Sequence, residues 1–305
     1  MTTRPLEPGL WVILATPFDP VGELDLGSMT RQVEHAFAAG ADGVVGLGVF
    51  GEASALSLAE QRRVAATVAR AAAGRRVVLG VSGRATAVVV EQAEAALAGA
   101  VGAGADRDDL ALMVHVNTAV EDALVAHLAE VHRRTGVGIV LQDYPATSGV
   151  DIAASTLVRV VGRCAFVVAV KAEAPPTPPA IAEVVAGTAV PVFGGLGGVG
   201  LVDELACGAA GAMTGFSAPE GLRATIDAHR SGGFADARST WAPWLPLATF
   251  EAQQGIALSL RKTLMHRRGV LDHPGVRPPA RVLPPSLEPL VEQHLAALPT
   301  HPGEN

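Results

Sequence analysis

The segment FVVAVKAEAPP, residues 166–176, places Lys171 directly after five apolar residues and Glu173 two residues beyond it. A lysine at the end of an apolar strand is poorly solvated, which penalises the ammonium form and lowers its pKa. A neutral amine can attack a carbonyl, and the protonated imine then serves as an electron sink for C–C cleavage or dehydration. The same segment also suits a lysine that snorkels from a strand end to water. In a regular strand Glu173 shares the face of Lys171. There it is either a general base or a salt-bridge partner that raises the lysine pKa and opposes the neutral amine. Tyr144, the one tyrosine in the chain, is a second acid/base candidate or a structural phenol bonded to a loop carbonyl. Gln142 shares its parity. His115, at the end of an apolar run, is a proton relay or a hydrogen-bonded lone histidine. Arg84 in VSGRAT is a bidentate carboxylate clamp or an exposed helix-start arginine. Gly195 belongs to GGLGG (194–198), whose four glycines allow close backbone approach or positive φ. No Gly-Lys-Ser/Thr follows, which excludes a P-loop, and the loop reads as the rim of a substrate pocket. No histidine/carboxylate spacing suggests a metal site, and the chemistry is expected to need neither metal nor cofactor.

Such residues need strands to aim them. Apolar β-rich runs occur at Leu10–Thr16, Gly43–Gly48, Val77–Val81, Leu110–Val116, Gly138–Gln142, Phe166–Lys171, Pro191–Phe193 and Gly211–Thr214. They are near-continuous rather than alternating, as expected for strands covered on both faces. Helical patterns lie between them, among them Leu26–Ala39, Leu58–Ala73, Ala85–Ala98 and Ala119–Thr135. Ser57 with Glu60 forms a capping-box pattern, and Gly40, Gly74 and Gly136 sit where helix stops are wanted. Eight β/α alternations predict a (β/α)₈ TIM barrel, with a doubly wound open sheet as the rival. In a barrel the chemistry belongs at the C-terminal strand ends, where Lys171 falls. The expected organisation is a barrel over residues 1–220 and a C-terminal helical extension over 221–305, packed on the barrel. Its helices are expected at Gly221–Arg230, Ala235–Leu247, Phe250–Arg268 and Ser286–Leu298.

Composition narrows the function classes. The 305 residues are 49% apolar but only 4% aromatic, so Ala, Val, Leu and Gly must fill the core. A net charge of -7 argues against a nucleic-acid partner, though a locally positive site for an anionic substrate remains open. Cys164 and Cys207 lie in apolar stretches and read as free thiols in a reducing compartment. No membrane-spanning run or secretory h-region is apparent, so a cytoplasmic protein is expected.

The order of several segments makes the chain resemble the dihydrodipicolinate synthase/N-acetylneuraminate lyase family of class I aldolases, dehydratases and synthases. These are ATPF at Ala15–Phe18, the helix ending in AGADGVVGLG, GVFGEASALSLAEQ at Gly48–Gln61, YPATSGVDI at Tyr144–Ile152, VKAE at Val170–Glu173, and GAAGAMTG at Gly208–Gly215. The resemblance implies the barrel fold, an imine-forming role for Lys171, a small-molecule keto-acid substrate and a homo-oligomer. Three departures qualify it. The family's Gly-Thr-Thr-Gly-Glu turn is Gly48-Val49-Phe50-Gly51-Glu52 here, so backbone amides for a carboxylate persist while both hydroxyls are lost. Phe50 adds bulk at the pocket mouth or fills core. The family's catalytic tyrosine aligns with Gln142, and a substrate-binding arginine of some members aligns with Thr147. The family's Pro-Tyr-Tyr is replaced by Val114-His115-Val116-Asn117. The expected function is therefore a Schiff-base lyase, of aldolase or hydro-lyase type, acting on a 2-keto acid or sugar-acid-like substrate. Condensation as in the dihydrodipicolinate synthases is disfavoured. The alternative is a barrel that has lost catalysis and serves as a ligand-binding or regulatory protein.

Overall fold

The computed structural model describes residues 3–299. Eight strands, β1 (Leu10–Ile13), β2 (Gly43–Gly46), β3 (Val77–Gly80), β4 (Leu110–His115), β5 (Gly138–Asp143), β6 (Val167–Ala172), β7 (Val192–Gly194) and β8 (Gly211–Thr214), pair in sequence order. All pairings are parallel, and β8 closes onto β1. This is the (β/α)₈ barrel that the periodicity predicts. Each strand is followed by at least one helix, ending with Pro219–Trp241, which packs on β1 and β8.

Two apolar layers explain the near-continuous strand runs. Trp11, Ile13, Val45, Val78, Met113, Val140, Phe193 and Met213 fill the barrel interior. Leu10, Val12, Val44, Leu79, Leu112, Leu141 and Val170 face the surrounding helices. With few aromatics available, Trp11 and Phe193 meet edge to face across the interior at 6.4 Å between ring centroids. A Cβ on Gly43 would overlap the Trp11 ring, so glycine is what lets that indole lie flat against β2.

The capping box forms as expected: Ser57 Oγ accepts from the Glu60 amide, and Glu60 Oε2 accepts from the Ser57 amide at 2.9 Å. Gly136 caps its helix at φ 70°, a conformation that favours glycine. Strands β1 and β2 stop earlier than their apolar runs. At β2 the reason is local, since Leu47 takes φ 59° and turns the chain out of the ladder.

Beyond β8 the helices are regrouped relative to the sequence pattern. The two expected at 221–230 and 235–247 form one helix, Pro219–Trp241, broken by Gly233 at φ 75°. The one expected at 250–268 is split into Leu245–Glu251 and Ala257–Arg267, with Gly255 at φ 81° between them. Helix Ala257–Arg267 matters most for the site. Its Lys262 bonds to the segments after β1 and β2, and its Arg261 reaches the loop after β7. No helix among the described residues is long and apolar enough to cross a membrane.

Candidate active site

The register of β4, β5, β6 and β7 sets His115, Gln142, Lys171 and Phe193 side by side in one layer around the barrel. Met113 and Val140, two residues below His115 and Gln142, point inward, so parity turns both upper residues inward as well. The ladder runs one residue past β6, because the Glu173 amide donates to the Asp143 carbonyl at 2.8 Å. Glu173 therefore keeps the face of Lys171.

Lys171 and Glu173 are buried and form an ion pair, Nζ to Oε2 at 2.8 Å. Gln142 Nε2 donates to the same oxygen at 2.7 Å, and the Leu196 amide donates to Oε1 at 3.2 Å. Three donors thus converge on one carboxylate. Gly195 lies directly against it, since a Cβ there would overlap Glu173 Oε1. Leu196, Gly197 and Gly198 all take positive φ, the turn that aims the Leu196 amide back at Glu173. The glycine-rich loop is thus a wall of this site.

Polar atoms without partners surround the pair. Among the described residues, Gln142 Oε1 and His115 Nδ1 are buried and hydrogen-bond to nothing. Burial holds the His115 imidazole down at about 4, with the Lys171 charge adding to the effect. His115 is therefore neutral at ordinary pH, able to accept or donate one hydrogen bond. Behind the layer, burial pushes the Asp143 carboxyl up to about 6, helped by Asp151 and Glu173. It also pushes Glu204 up to about 7, against a hydrogen bond from Thr177 Oγ1 at 2.6 Å. No group of three or more His, Cys, Asp or Glu among the described residues is arranged to hold a metal ion.

The remaining sequence candidates are spread around the mouth. Tyr144 has left the strand, which ends at Asp143, and caps the short helix Pro145–Ser148 with φ -135° and ψ 82°. It is half-buried, and its phenol is pushed up by burial and then by the Glu173 charge, with Arg261 acting in the opposite sense. Phe50 packs against Met265, Val270 and Leu271 and lies over Gly215, where a Cβ would fall 2.5 Å from its ring. Val49 is exposed on the turn after β2. Arg84 is exposed near Gly149 and its carbonyl accepts from Asn117, apart from the buried cluster. Thr147 is exposed.

Sequence reading passed over Arg261. It lies in a helical stretch with no local motif, and only the docking of helix Ala257–Arg267 brings it to the mouth. Its guanidinium sits 5.5 Å from the Phe50 ring centroid and receives support from buried Glu251, Nε to Oε1 at 3.1 Å.

The Dihydrodipicolinate synthetase family model matches residues 7–298. This chain belongs to that family. Among its relatives, L-2-keto-3-deoxyarabonate dehydratase of Azospirillum brasilense is 30% identical over 97% of this chain and 95% of its own. A 4-hydroxy-tetrahydrodipicolinate synthase of Kineococcus radiotolerans is 32% identical over 97% and 92%. The crystal structure of dihydrodipicolinate synthase from Rhodopseudomonas palustris superposes with a TM-score of 0.85 at 28% identity, covering 97% of this chain and all of that one. The family resemblance read from the motifs therefore holds across nearly the whole chain. With it comes the lyase and dehydratase class of its members.

Proposed function

We propose that this chain is a Schiff-base lyase acting on a 2-keto acid, with Lys171 as the imine-forming amine and Glu173 as its proton carrier. The observation that supports this most is that Lys171, paired with Glu173 at 2.8 Å, stands at the C-terminal end of β6 beside the unpartnered Gln142 Oε1 and His115 Nδ1, where barrel chemistry is placed. Glu173 takes a proton from the Lys171 ammonium, and the freed amine adds to the C2 carbonyl. The same proton and a second one from the added nitrogen go to the departing oxygen, which leaves as water, and the protonated imine keeps the last N–H. Glu173 next removes a proton from C3, giving an enamine. In a hydro-lyase that proton follows the C4 hydroxyl out as water, leaving a conjugated iminium that water hydrolyses. Gln142 does not titrate and holds Glu173 in place. Tyr144, at the mouth, is a second proton donor within the field of Glu173. The backbone amides of Gly48–Gly51, together with Val49, Phe50, Gly195 and Arg84, are the candidates that line the substrate path.

Identity alone does not choose between dehydration and condensation, since relatives of both kinds match this chain to similar extents. Val49, Phe50 and Gln142 argue against condensation, because none of them can pass a proton where the family resemblance places the tyrosine/threonine relay of the synthases. A non-catalytic binding protein is the second reading, favoured by the saturation of Glu173 with three donors.

Incubation with pyruvate and a panel of 2-keto acids under borohydride, followed by intact and peptide mass, separates the two. An adduct on Lys171 is expected; its absence with every acid would leave the binding-protein reading. Self-association is proposed as well. Exposed Phe234, Leu245 and Val199 border one groove beside Trp241, and light scattering should give a mass above the monomer's.

A further inference from the structure

We propose that Arg261 is an anchor for a carboxylate at the far end of the substrate, so that the keto acid is a diacid. This rests on the Schiff-base reading for the position of the near end. The loop after β7 lays out the path. At Gly195 a side chain would overlap Glu173, beside Lys171, and at Gly197 a Cβ would fall 2.5 Å from Arg261 Nη2. Two residues span at most about 7 Å. An imine-linked acid extending along this loop thus brings its fifth or sixth carbon to the guanidinium.

The arginine is built to receive something. Its side chain is 13% exposed, and its one hydrogen bond among the described residues runs from Nε to Glu251. Both Glu251 oxygens also accept from the Ser217 amide at 3.3 Å, which fixes the carboxylate from behind. Glu251 is fully buried on helix Leu245–Glu251, so the support is rigid. The two Nη groups are left facing Gly197, Phe50 and the field of Tyr144 with no protein acceptor. Planar paired donors fit a carboxylate. With Nε held by Glu251, the two Nη groups offer one planar donor pair, the complement of a single carboxylate. Phe50, in place of a hydroxyl residue, packs under the guanidinium as an apolar floor that keeps water off the pair.

Calorimetric titration of the full chain with matched pairs tests this. The pairs are 2-oxoglutarate against 2-oxopentanoate and 2-oxoadipate against 2-oxohexanoate, alike in length and differing in the terminal charge. For at least one pair the diacid should bind about tenfold tighter or more. In Arg261→Met that preference should fall below about twofold, while Arg261→Lys keeps part of it. Because Arg261→Met leaves Glu251 buried and unpaired, the double variant Arg261→Met/Glu251→Gln provides a second reading and should lose the preference equally. Equal binding of both members of each pair by the unaltered protein, or a preference that survives the double variant, overturns the proposal. Borohydride trapping is scored separately. If Lys171 forms no adduct with any of the four acids, the imine reading falls, while the calorimetric preference still decides the role of Arg261.

Discussion

Two lysine–glutamate pairs lie buried near the barrel mouth, with nearly the same spacing and opposite surroundings. Lys171 meets Glu173 at 2.8 Å and Lys262 meets Glu52 at 2.7 Å. Lys262 also donates to the Thr16 carbonyl at 2.9 Å and sits 4.5 Å from the Phe18 ring centroid. Its glutamate accepts in turn from the Arg277 amide at 2.9 Å. The ammonium there has partners for nearly all its donors and no exposed surface. Lys171 has one side-chain acceptor, and the unpartnered Gln142 Oε1 and His115 Nδ1 lie in its layer. Burial and ion pairing are common to both, so neither marks a reactive amine. What differs is buried hydrogen-bonding capacity left open in the layer of the amine itself, which folded proteins leave at few groups.

The sharpest test exchanges each lysine for methionine. Lys171→Met should abolish borohydride trapping and lower turnover of a trapped substrate by about 10⁴-fold or more, as loss of a covalent nucleophile does. Removing one partner of a buried pair is also expected to cost about 3–5 kcal/mol of stability in Lys262→Met. That variant should still form the Lys171 adduct once folded. Denaturant unfolding and adduct mass together decide. Trapping on Lys262 would erase the contrast.

Removing charge from the glutamates probes the same contrast more gently. Glu173→Gln keeps the contacts of the Leu196 amide but cannot take the lysine proton, so turnover should drop about 10²–10⁴-fold. The loss should shrink toward high pH, where hydroxide substitutes as base. Glu52→Gln should act on the unfolding midpoint instead, with turnover changed less than about threefold. A pH–rate profile of Glu173→Gln identical to that of the unaltered protein would show that Glu173 only orients.

Much of this frame was legible in the sequence. Eight apolar runs with helices between them define a barrel because two-sided burial leaves a distinctive pattern, and parity alone put Glu173 beside Lys171. Arg261 and Lys262 were not legible. The pattern puts both residues in a helix but runs it from Phe250 across the break at Gly255, and period says nothing of which rim segment the helix docks on. Gly233 and Gly255 regroup the helices of this region through positive φ, which no apolar pattern records. Tyr144 shows the opposite limit: strand parity holds through Gln142 and Asp143, and Pro145 then ends the strand.

Two buried groups near the site should give stability profiles of opposite slope. The folded protein holds His115 neutral to about 4, whereas an unfolded imidazole titrates near 6.5. As pH falls through that window the unfolded chain takes up the proton first, so stability is whole above 6.5 and declines by about 3 kcal/mol toward 4. Glu204 is held up to about 7 against an ordinary 4.5, so the folded state keeps a proton that the unfolded state has released. Its contribution is present below 4.5 and is lost, by a similar amount, as pH rises through 7. Urea unfolding at pH 4, 6 and 8 should therefore show His115→Gln gaining on the unaltered protein in acid. Glu204→Gln should gain on it at pH 8. Parallel profiles for either variant would mean that its group is not buried in the charge state proposed.

The smallest effect is expected at Arg84, and it tests whether open hydrogen-bonding capacity matters without burial. Arg84 stands on the rim after β3, exposed, and its side chain bonds to no described residue. By count of free donors it rivals Arg261. Water satisfies those donors, however, and a carboxylate binding there must displace that water for little net gain. Arg261 has traded much of its water for Phe50, Gly197 and a fixed Glu251. Arg84→Ala should accordingly shift stability by less than about 0.5 kcal/mol and keto-acid affinity by less than about twofold. A tenfold loss on calorimetry would make Arg84 the clamp that its place in VSGRAT suggests. It would also mean that the rim closes over the substrate and buries Arg84 in the bound state.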